Sequence, residues 1–161
     1  MTQPTLFEAD APPAPRPASE IAFVVYGIAM SAGSKRAMQH PRTGKIIVID
    51  ANPKSREWKS EVKDAARAAY SGPRIEGPVE LIVRVFSTRA KAHFRTNGDL
   101  KPTAPRWKTS APDATKLIRG IEDAITSAGN VWRDDAQVCR QLVTKEYGEP
   151  ARVEITIRPL E

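Results

Sequence analysis

Apolar side chains recur with the periods of strands and helices along most of the chain, so their pattern predicts the secondary structure. Five segments show the alternating or continuous apolar pattern of β-strands and are rich in β-branched residues. They are residues 21–28, 45–50, 79–86, 136–147 and 152–158. In the third of these, Val79, Leu81 and Val83 alternate with more polar neighbours, as in a strand covered mainly on one face.

Two further segments carry apolar residues at helical spacing. The first follows Asn52-Pro53, a helix-start signal, and stops at Gly72-Pro73. The second follows Pro112, which suits the first turn of a helix, and ends at Gly129. The expected buried positions are Trp58, Val62, Ala65, Ala66 and Ala69 in the first helix, and Leu117, Ile121, Ala124 and Ala128 in the second.

The order of these elements predicts a single α+β (α/β) domain. Its order is ββαβ, a long loop, then αββ, which gives a mixed sheet of about five strands with two main helices packed on it. We expect the first two strands to form a hairpin, with Ser34, Lys35 and Arg36 in a glycine-flanked loop between them. A chain of 161 residues is long enough for one hydrophobic core. Residues 21–161 are expected to form this domain, and the proline-rich residues 1–20 a flexible tail.

Composition limits the class of protein and the kind of metal site. Apolar residues make up 40% of the chain and charged residues 27%, as in a soluble globular domain. Since no apolar run reaches the roughly 20 residues of a membrane-spanning helix and no signal peptide is evident, we expect a cytoplasmic protein. The single cysteine, Cys139, is expected to be a buried small residue. With only two histidines, any metal would have to be held by carboxylates.

The positive charge is concentrated in the predicted domain. The formal net charge is +6, yet the first twenty residues contain one arginine against three acids. Because each phosphate neutralised by lysine or arginine releases condensed counterions, this excess favours a polyanionic partner. A basic but inert surface is the alternative that composition leaves open.

Residues 87–112 form a long loop rich in cations, with Phe94 and Trp107 among them and Asp99 as the lone acid. Such loops in compact domains are usually functional or disordered. Cations with interspersed aromatics suit phosphate tracking and base stacking, so we expect contact with nucleic acid, with a solvated loop as the alternative. The predicted DNA-binding residues are Lys35, Arg36, Arg89, Lys91, Arg95, Lys101, Arg106, Lys108 and Lys116.

The strongest chemical signal lies in the second helix and the turn after it. Thr115, Arg119 and Asp123 follow one helix face at i, i+4 and i+8, and Asp113 stands at the positive helix N-terminus. Asp134-Asp135 then precedes a strand. From Pro112 to Val138 the chain resembles the active-site region of the RusA family of Holliday junction resolvases, whose pattern is Asp-x-Asp-Asn, a lysine one turn later, Asp-Ala, and Asp-Asp-x-Gln before a strand.

The resemblance implies a metal-dependent endonuclease that acts on branched DNA as a homodimer, and a phage or prophage origin. Asp113 and Asp135 match the family's metal-binding positions, and Asp134 could orient a ligand or hold a metal-bound water. Carboxylates suit this role because phosphodiester hydrolysis needs hard cations such as Mg²⁺ or Mn²⁺. Arg119 stands where the family usually has a catalytic lysine that supports the phosphate. Arginine keeps the charge and changes the geometry.

The chain departs from the family pattern at two adjacent positions. Thr115 replaces the expected second aspartate, and Lys116 replaces the following asparagine. The Thr115 hydroxyl could serve as a weaker metal ligand, and Glu122, Asp123 or Asp99 could compensate for the lost carboxylate. An alternative is therefore a protein of the same fold that binds junctions without cutting them.

Residues 3–7 of the tail resemble the Gln-x-x-Leu-Phe peptide that bacterial replication proteins insert into the sliding clamp. Gln3, Leu6 and Phe7 would be its anchors, and a mobile tail suits such docking. The alternative is that Leu6 and Phe7 are two incidental apolar residues. A clamp-recruited adaptor is accordingly a third hypothesis, beside the nuclease and the junction-binding protein.

Overall fold

A computed structural model describes residues 20–33, 35–50 and 52–161, except the side chains of residues 35, 36, 49 and 50. The elements in chain order are β1 (Ile21–Tyr26), β2 (Lys35–Gln39), β3 (Ile46–Asp50), α1 (Pro53–Ala69), β4 (Val79–Ser87), a 3₁₀ helix (Lys91–His93), α2 (Ala114–Ala128), a second 3₁₀ helix (Asp135–Gln137), β5 (Val138–Tyr147) and β6 (Arg152–Pro159). The predicted α+β class is confirmed.

Four strands form the main sheet in the order β1-β6-β4-β5. β4 pairs in parallel with β5 and antiparallel with β6, and β6 pairs antiparallel with β1, so the sheet is mixed as predicted. Parallel neighbours need a long crossover connection, and the chain between β4 and β5, which includes α2, provides it. This topology leaves β1 and β5 as the sheet edges.

One face of the main sheet is apolar and carries both helices. Leu81 and Val83 of β4 are fully buried, and Ile155 of β6 belongs to the same core. Six buried helix residues pack into this core, namely Trp58, Val62 and Ala66 of α1 and Leu117, Ile121 and Ala124 of α2. The helical stripes predicted from spacing are thus largely confirmed. In the described parts of the chain, no helix is long and apolar enough to cross a membrane.

The predicted hairpin between the first two strands is wrong. β1 pairs with β6, with Ile21 opposite Ile157, whereas β3 pairs with β2 in a separate two-stranded sheet. Lys35 and Arg36, predicted to lie in a loop, begin β2. Apolar periodicity identifies strands and not their partners, and β2 lacks apolar alternation because its described side chains are exposed.

The ends of α2 fix the position of the acidic residues around it. Asp113 is the N-cap, and Gly129 is the C-cap with a φ of 76°, a left-handed conformation that favours glycine. The helix begins at Ala114, so Pro112 precedes the cap instead of occupying the first turn. Asp113, at the N-terminus of α2, is therefore the first candidate site residue after the long loop.

A glycine in α2 lets the segment before β2 cross the helix closely. A Cβ at Gly120 would lie 3.3 Å from the backbone nitrogen of Ala32. That nitrogen donates to the carbonyl of Lys116 at 3.1 Å. The chain that leads into β2 is therefore fixed against the first half of α2.

Candidate active site

Asp113 occupies the N-cap of α2, but its side chain makes no capping hydrogen bond. Its Oδ2 lies 3.4 Å from Nζ of Lys116, and the side chain is 68% exposed. The helix dipole stabilises negative charge at this position. Because an exposed ion pair of this kind contributes little to stability, the carboxylate of Asp113 is available to a ligand. Thr115 and Arg119 are also exposed on α2.

Asp134 and Asp135 have different environments although they are adjacent. Asp134 caps the second 3₁₀ helix, because its Oδ1 accepts from the backbone nitrogen of Ala136 at 2.8 Å. Gln137 completes the capping box by accepting from the backbone nitrogen of Asp134 at 3.1 Å. The exposed side chain of Asp135 forms no hydrogen bond or ion pair with the described residues. Asp134 is therefore used for capping, whereas Asp135 keeps its carboxylate for other contacts.

Asp135 lies near two further acids in the second half of α2. Burial raises the pKa of Glu122 above its ordinary value, a hydrogen bond from Gln141 lowers it, and the charges of Asp135 and Asp123 raise it again. Asp123 Oδ2 forms an ion pair with Lys59 Nζ of α1 at 3.2 Å. Asp135 thus lies near two other acids, of which Asp123 is paired with Lys59.

Asp113 and Asp135 lie on separate elements, the N-cap of α2 and the second 3₁₀ helix. Asp113 is nine residues from Glu122 on α2, which corresponds to about 14 Å of helix rise. Among the residues that the structure describes, no group of three or more His, Cys, Asp or Glu side chains is placed to hold a metal ion. The donor chemistry of single carboxylates still suits Mg²⁺, which commonly takes one or two protein carboxylates and completes its shell with water and substrate phosphate. A shared site for Asp113 and Asp135 stays a prediction.

A cavity of about 570 Å³ opens between α1 and α2, beside Asp135. It combines cations from α1 with hydroxyl and acidic side chains from α2 and the turn that follows. The polar residues that line it are Arg56, Lys59, Ser60, Lys63, Asp123, Thr126, Ser127 and Asp135. We call this cavity, with these residues, the α1–α2 groove.

Several cations of the predicted DNA-binding loop have partners within the protein. Arg89 donates to the carbonyl of Pro105 at 2.8 Å, and Lys101 donates to the carbonyl of Ala92 at 2.8 Å. Lys108 Nζ donates to the carbonyl oxygen and to the hydroxyl oxygen of Ser110. By contrast, the exposed side chains of Lys91 and Arg95 make no hydrogen bond or ion pair with the described residues. These internal contacts leave the loop's DNA-binding role as a prediction.

Arg106 anchors the end of this loop on a buried acid. Burial opposes ionisation of Glu146, but hydrogen bonds from Arg106, Arg84 and Thr144 outweigh it and hold the pKa of Glu146 below its ordinary value. Arg106 Nε lies 3.1 Å from Glu146 Oε2. The backbone of Trp107 forms an antiparallel β-bridge with that of Glu146, so this end of the loop lies beside β5. Charge reversal at Arg106 would therefore disturb the fold as well as any DNA contact.

Comparison with known proteins identifies the family. The family model for endodeoxyribonuclease RusA matches residues 30–158, which is most of the chain. The chain belongs to the RusA family. It is also 31% identical over 146 residues to YqaN of Bacillus subtilis (strain 168), an uncharacterized protein, with 86% of this chain and 95% of the relative covered.

Membership of the RusA family implies an endodeoxyribonuclease with Holliday junction resolvase activity and affinity for branched DNA. RusA resolvases are nucleases that generally use divalent metals. Two of the sequence predictions fall outside what the structure describes, namely the side chains of Lys35 and Arg36 and the tail residues Gln3, Leu6 and Phe7.

The RusA chain also corrects one prediction and adds residues that the sequence did not single out. Cys139 is exposed on the edge strand β5, not buried, because only β4 covers that edge. Arg56, Lys59 and Lys63, which line the α1–α2 groove, were not singled out in the sequence. Their spacing of i, i+3 and i+7 was the available signal, because it places all three on one helix face.

Glu122→Gln tests the electrostatics around Asp135. A carboxyl whose pKa is raised by folding contributes stability fully below its unfolded pKa, and this contribution is lost as pH rises through the folded pKa. Glutamine removes the charge and keeps an acceptor for Gln141. We expect the free energy of unfolding to rise near neutral pH by roughly 0.5 kcal/mol, since solvent screens this half-exposed group. The gain should vanish below about pH 3, where both states are protonated.

Urea unfolding of the parent and Glu122→Gln at the two pH values measures this difference. A variant that is less stable than the parent at neutral pH would show that the charge of Glu122 is needed for folding, contrary to this prediction.

Proposed function

We propose that this chain is a cytoplasmic, structure-specific endonuclease that cuts four-way DNA junctions during recombination and repair. The observation that carries the proposal is the match of the endodeoxyribonuclease RusA family to residues 30–158. The proposed enzyme requires Mg²⁺ or Mn²⁺ and acts as a homodimer. Two-fold symmetry of a four-way junction suits a dimer in which each subunit contributes one site.

Asp113 and Asp135 are the proposed catalytic and metal-binding carboxylates. Two observations support them, because Asp113 makes no capping hydrogen bond and Asp135 makes no hydrogen bond or ion pair with the described residues. Asp134 and Thr115 are further candidate ligands, with Asp134 already committed to capping the 3₁₀ helix. A bound divalent cation would offset negative charge on the scissile phosphate. Arg119 would contact the phosphate through its guanidinium.

Incubation of the protein with a labelled synthetic four-way junction tests this function directly. We expect paired incisions at symmetric positions with Mg²⁺ or Mn²⁺ and none with EDTA. Linear duplex of the same sequence serves as the control and should remain largely intact. If neither cation supports cleavage of the junction, the protein is not a resolvase under these conditions, and the second candidate function is preferred.

That second candidate is a protein that binds junctions without cutting them. The observation in its favour is local to α2, where Thr115 carries no negative charge and Lys116 pairs with Asp113 at 3.4 Å. Both differences reduce the negative charge available to a cation at this end of the helix. Tight junction binding with no incision would support this function.

Thr115→Asp discriminates between the two candidates. If Thr115 is a weak ligand, restoring a carboxylate one helix position from Lys116 should raise the cleavage rate by about tenfold, the range seen when ligand-supporting groups change. Thr115→Asn is the matched control, since it has the same shape without the charge. Rates are measured from incised junction at fixed Mg²⁺ concentration. Equal rates in both variants would remove Thr115 from the site.

Recruitment by the sliding clamp is proposed as a separate property of the tail. Gln3, Leu6 and Phe7 match the clamp-binding peptide pattern in sequence. An extended peptide can insert two apolar anchors into a groove. A clamp pull-down that is unchanged by Leu6→Ala with Phe7→Ala would remove this proposal without affecting the nuclease.

A further inference from the structure

Three cations of α1 line the α1–α2 groove. These are Arg56, Lys59 and Lys63, whereas another cavity beside α1 is lined by Glu57 and Glu61 together with Lys54. This arrangement puts like charges at i and i+4, as in the pair Lys59 and Lys63, which slightly destabilises a helix. A solvated face selected for helix stability would interleave the signs instead. This cluster of cations in the groove lining favours an anionic ligand.

The α1–α2 groove has unmatched positive charge. Lys59 is paired with Asp123, and Asp135 is the other acid in the lining. The side chains of Arg56 and Lys63 make no hydrogen bond or ion pair with the described residues. Two cations thus remain beside a single unpaired carboxylate, in a cavity of about 570 Å³.

Hydroxyl groups add neutral donors to the same groove. Ser60 of α1 is exposed in the lining, between the positions of Lys59 and Lys63. Thr126 Oγ1 accepts from Trp132 Nε1 at 2.8 Å, so its own hydroxyl hydrogen can point elsewhere. Guanidinium, ammonium and hydroxyl groups together are the donors that proteins use to bind phosphate oxygens.

We propose that the α1–α2 groove binds a phosphodiester of the DNA backbone through Arg56 and Lys63. This inference rests on the proposed function and extends it, because the bound strand would pass next to Asp135. Lys59 stays paired with Asp123 at the groove wall. The groove would add a DNA contact from α1, a helix outside the segment that resembles the family's active-site region.

Salt dependence of DNA binding tests the groove independently of cleavage. Binding of the full chain to a fluorescent four-way junction is measured in EDTA over a series of salt concentrations. Arg56→Ala with Lys63→Ala should weaken binding about tenfold and reduce the slope of log K against log salt by about 1 to 2, because each phosphate contact contributes about 0.9. Arg56→Lys with Lys63→Arg should keep the slope, since both charges remain.

Lys54→Ala with Arg42→Ala is the matched control, because it removes one exposed lysine and one exposed arginine that lie outside the groove. A slope and affinity equal to those of this control would overturn the proposal. Thermal unfolding of each double variant verifies that the fold is intact, as expected for surface positions. Absence of incision by the parent protein in Mg²⁺ would count against the proposed function alone, since binding in EDTA is measured separately.

Discussion

Replacing Asp135 with asparagine is expected to slow junction cleavage by on the order of a hundredfold or more, the range for loss of a catalytic group. The physical reason is specific to this carboxylate. It is exposed, forms no ion pair with the described residues and adds to the negative charge around Glu122. Asparagine keeps the shape and removes the charge, so a role that needs the charge is lost while the fold is retained. Single-turnover incision of a labelled junction measures the effect.

Two variants make this result interpretable. Asp64→Asn removes one negative charge from an exposed position on α1 and should leave the incision rate unchanged. Asp134→Asn keeps an oxygen that can cap the 3₁₀ helix, because asparagine is as good an N-cap as aspartate. An activity loss in Asp134→Asn equal to that of Asp135→Asn would place both carboxylates in the chemistry. Parent-like activity of Asp135→Asn would remove it from the site.

The sequence predicts the helices of this fold better than the pairing of its strands. The stripe Leu117, Ile121 and Ala124 follows from a local period, and those residues are buried as expected. Pairing depends on distant parts of the chain, such as Ile21 opposite Ile157, and local pattern carries no information about it. The expected hairpin was wrong for this reason.

The candidate site shows the same limit at the level of single side chains. The adjacent acids Asp134 and Asp135 are chemically alike in the sequence. Only the folded structure shows that Asp134 caps the 3₁₀ helix and that Asp135 does not. Likewise, the cations of the long loop look equivalent in sequence, although Arg106 is bound to the buried Glu146. The presence of acids was predictable because residue type decides it, whereas their partners depend on tertiary contacts.

Trp132→Ala is expected to cause the largest loss of stability, about 3–5 kcal/mol of the free energy of unfolding, because it leaves a cavity in a packed core. Trp132 is fully buried, and its Nε1 donates to Thr126 at 2.8 Å. It lies three residues before Asp135, next to Val131, whose carbonyl accepts from the Ile75 nitrogen at 2.8 Å. Trp132 thus fixes the chain that carries Asp135. Urea or thermal unfolding followed by circular dichroism measures the change.

Trp107→Ala provides a comparison, because that tryptophan is 50% exposed and its loss should cost less than that of Trp132, roughly 1–2 kcal/mol from the apolar area it buries. Trp132→Phe separates packing from hydrogen bonding. It retains most of the buried ring and removes the donor to Thr126, so it should cost about 1–2 kcal/mol. If Trp132 also positions Asp135, Trp132→Phe should slow incision at a temperature where it is fully folded. Unfolding of Trp132→Ala at the parent's midpoint would show that the turn before β5 does not depend on this residue.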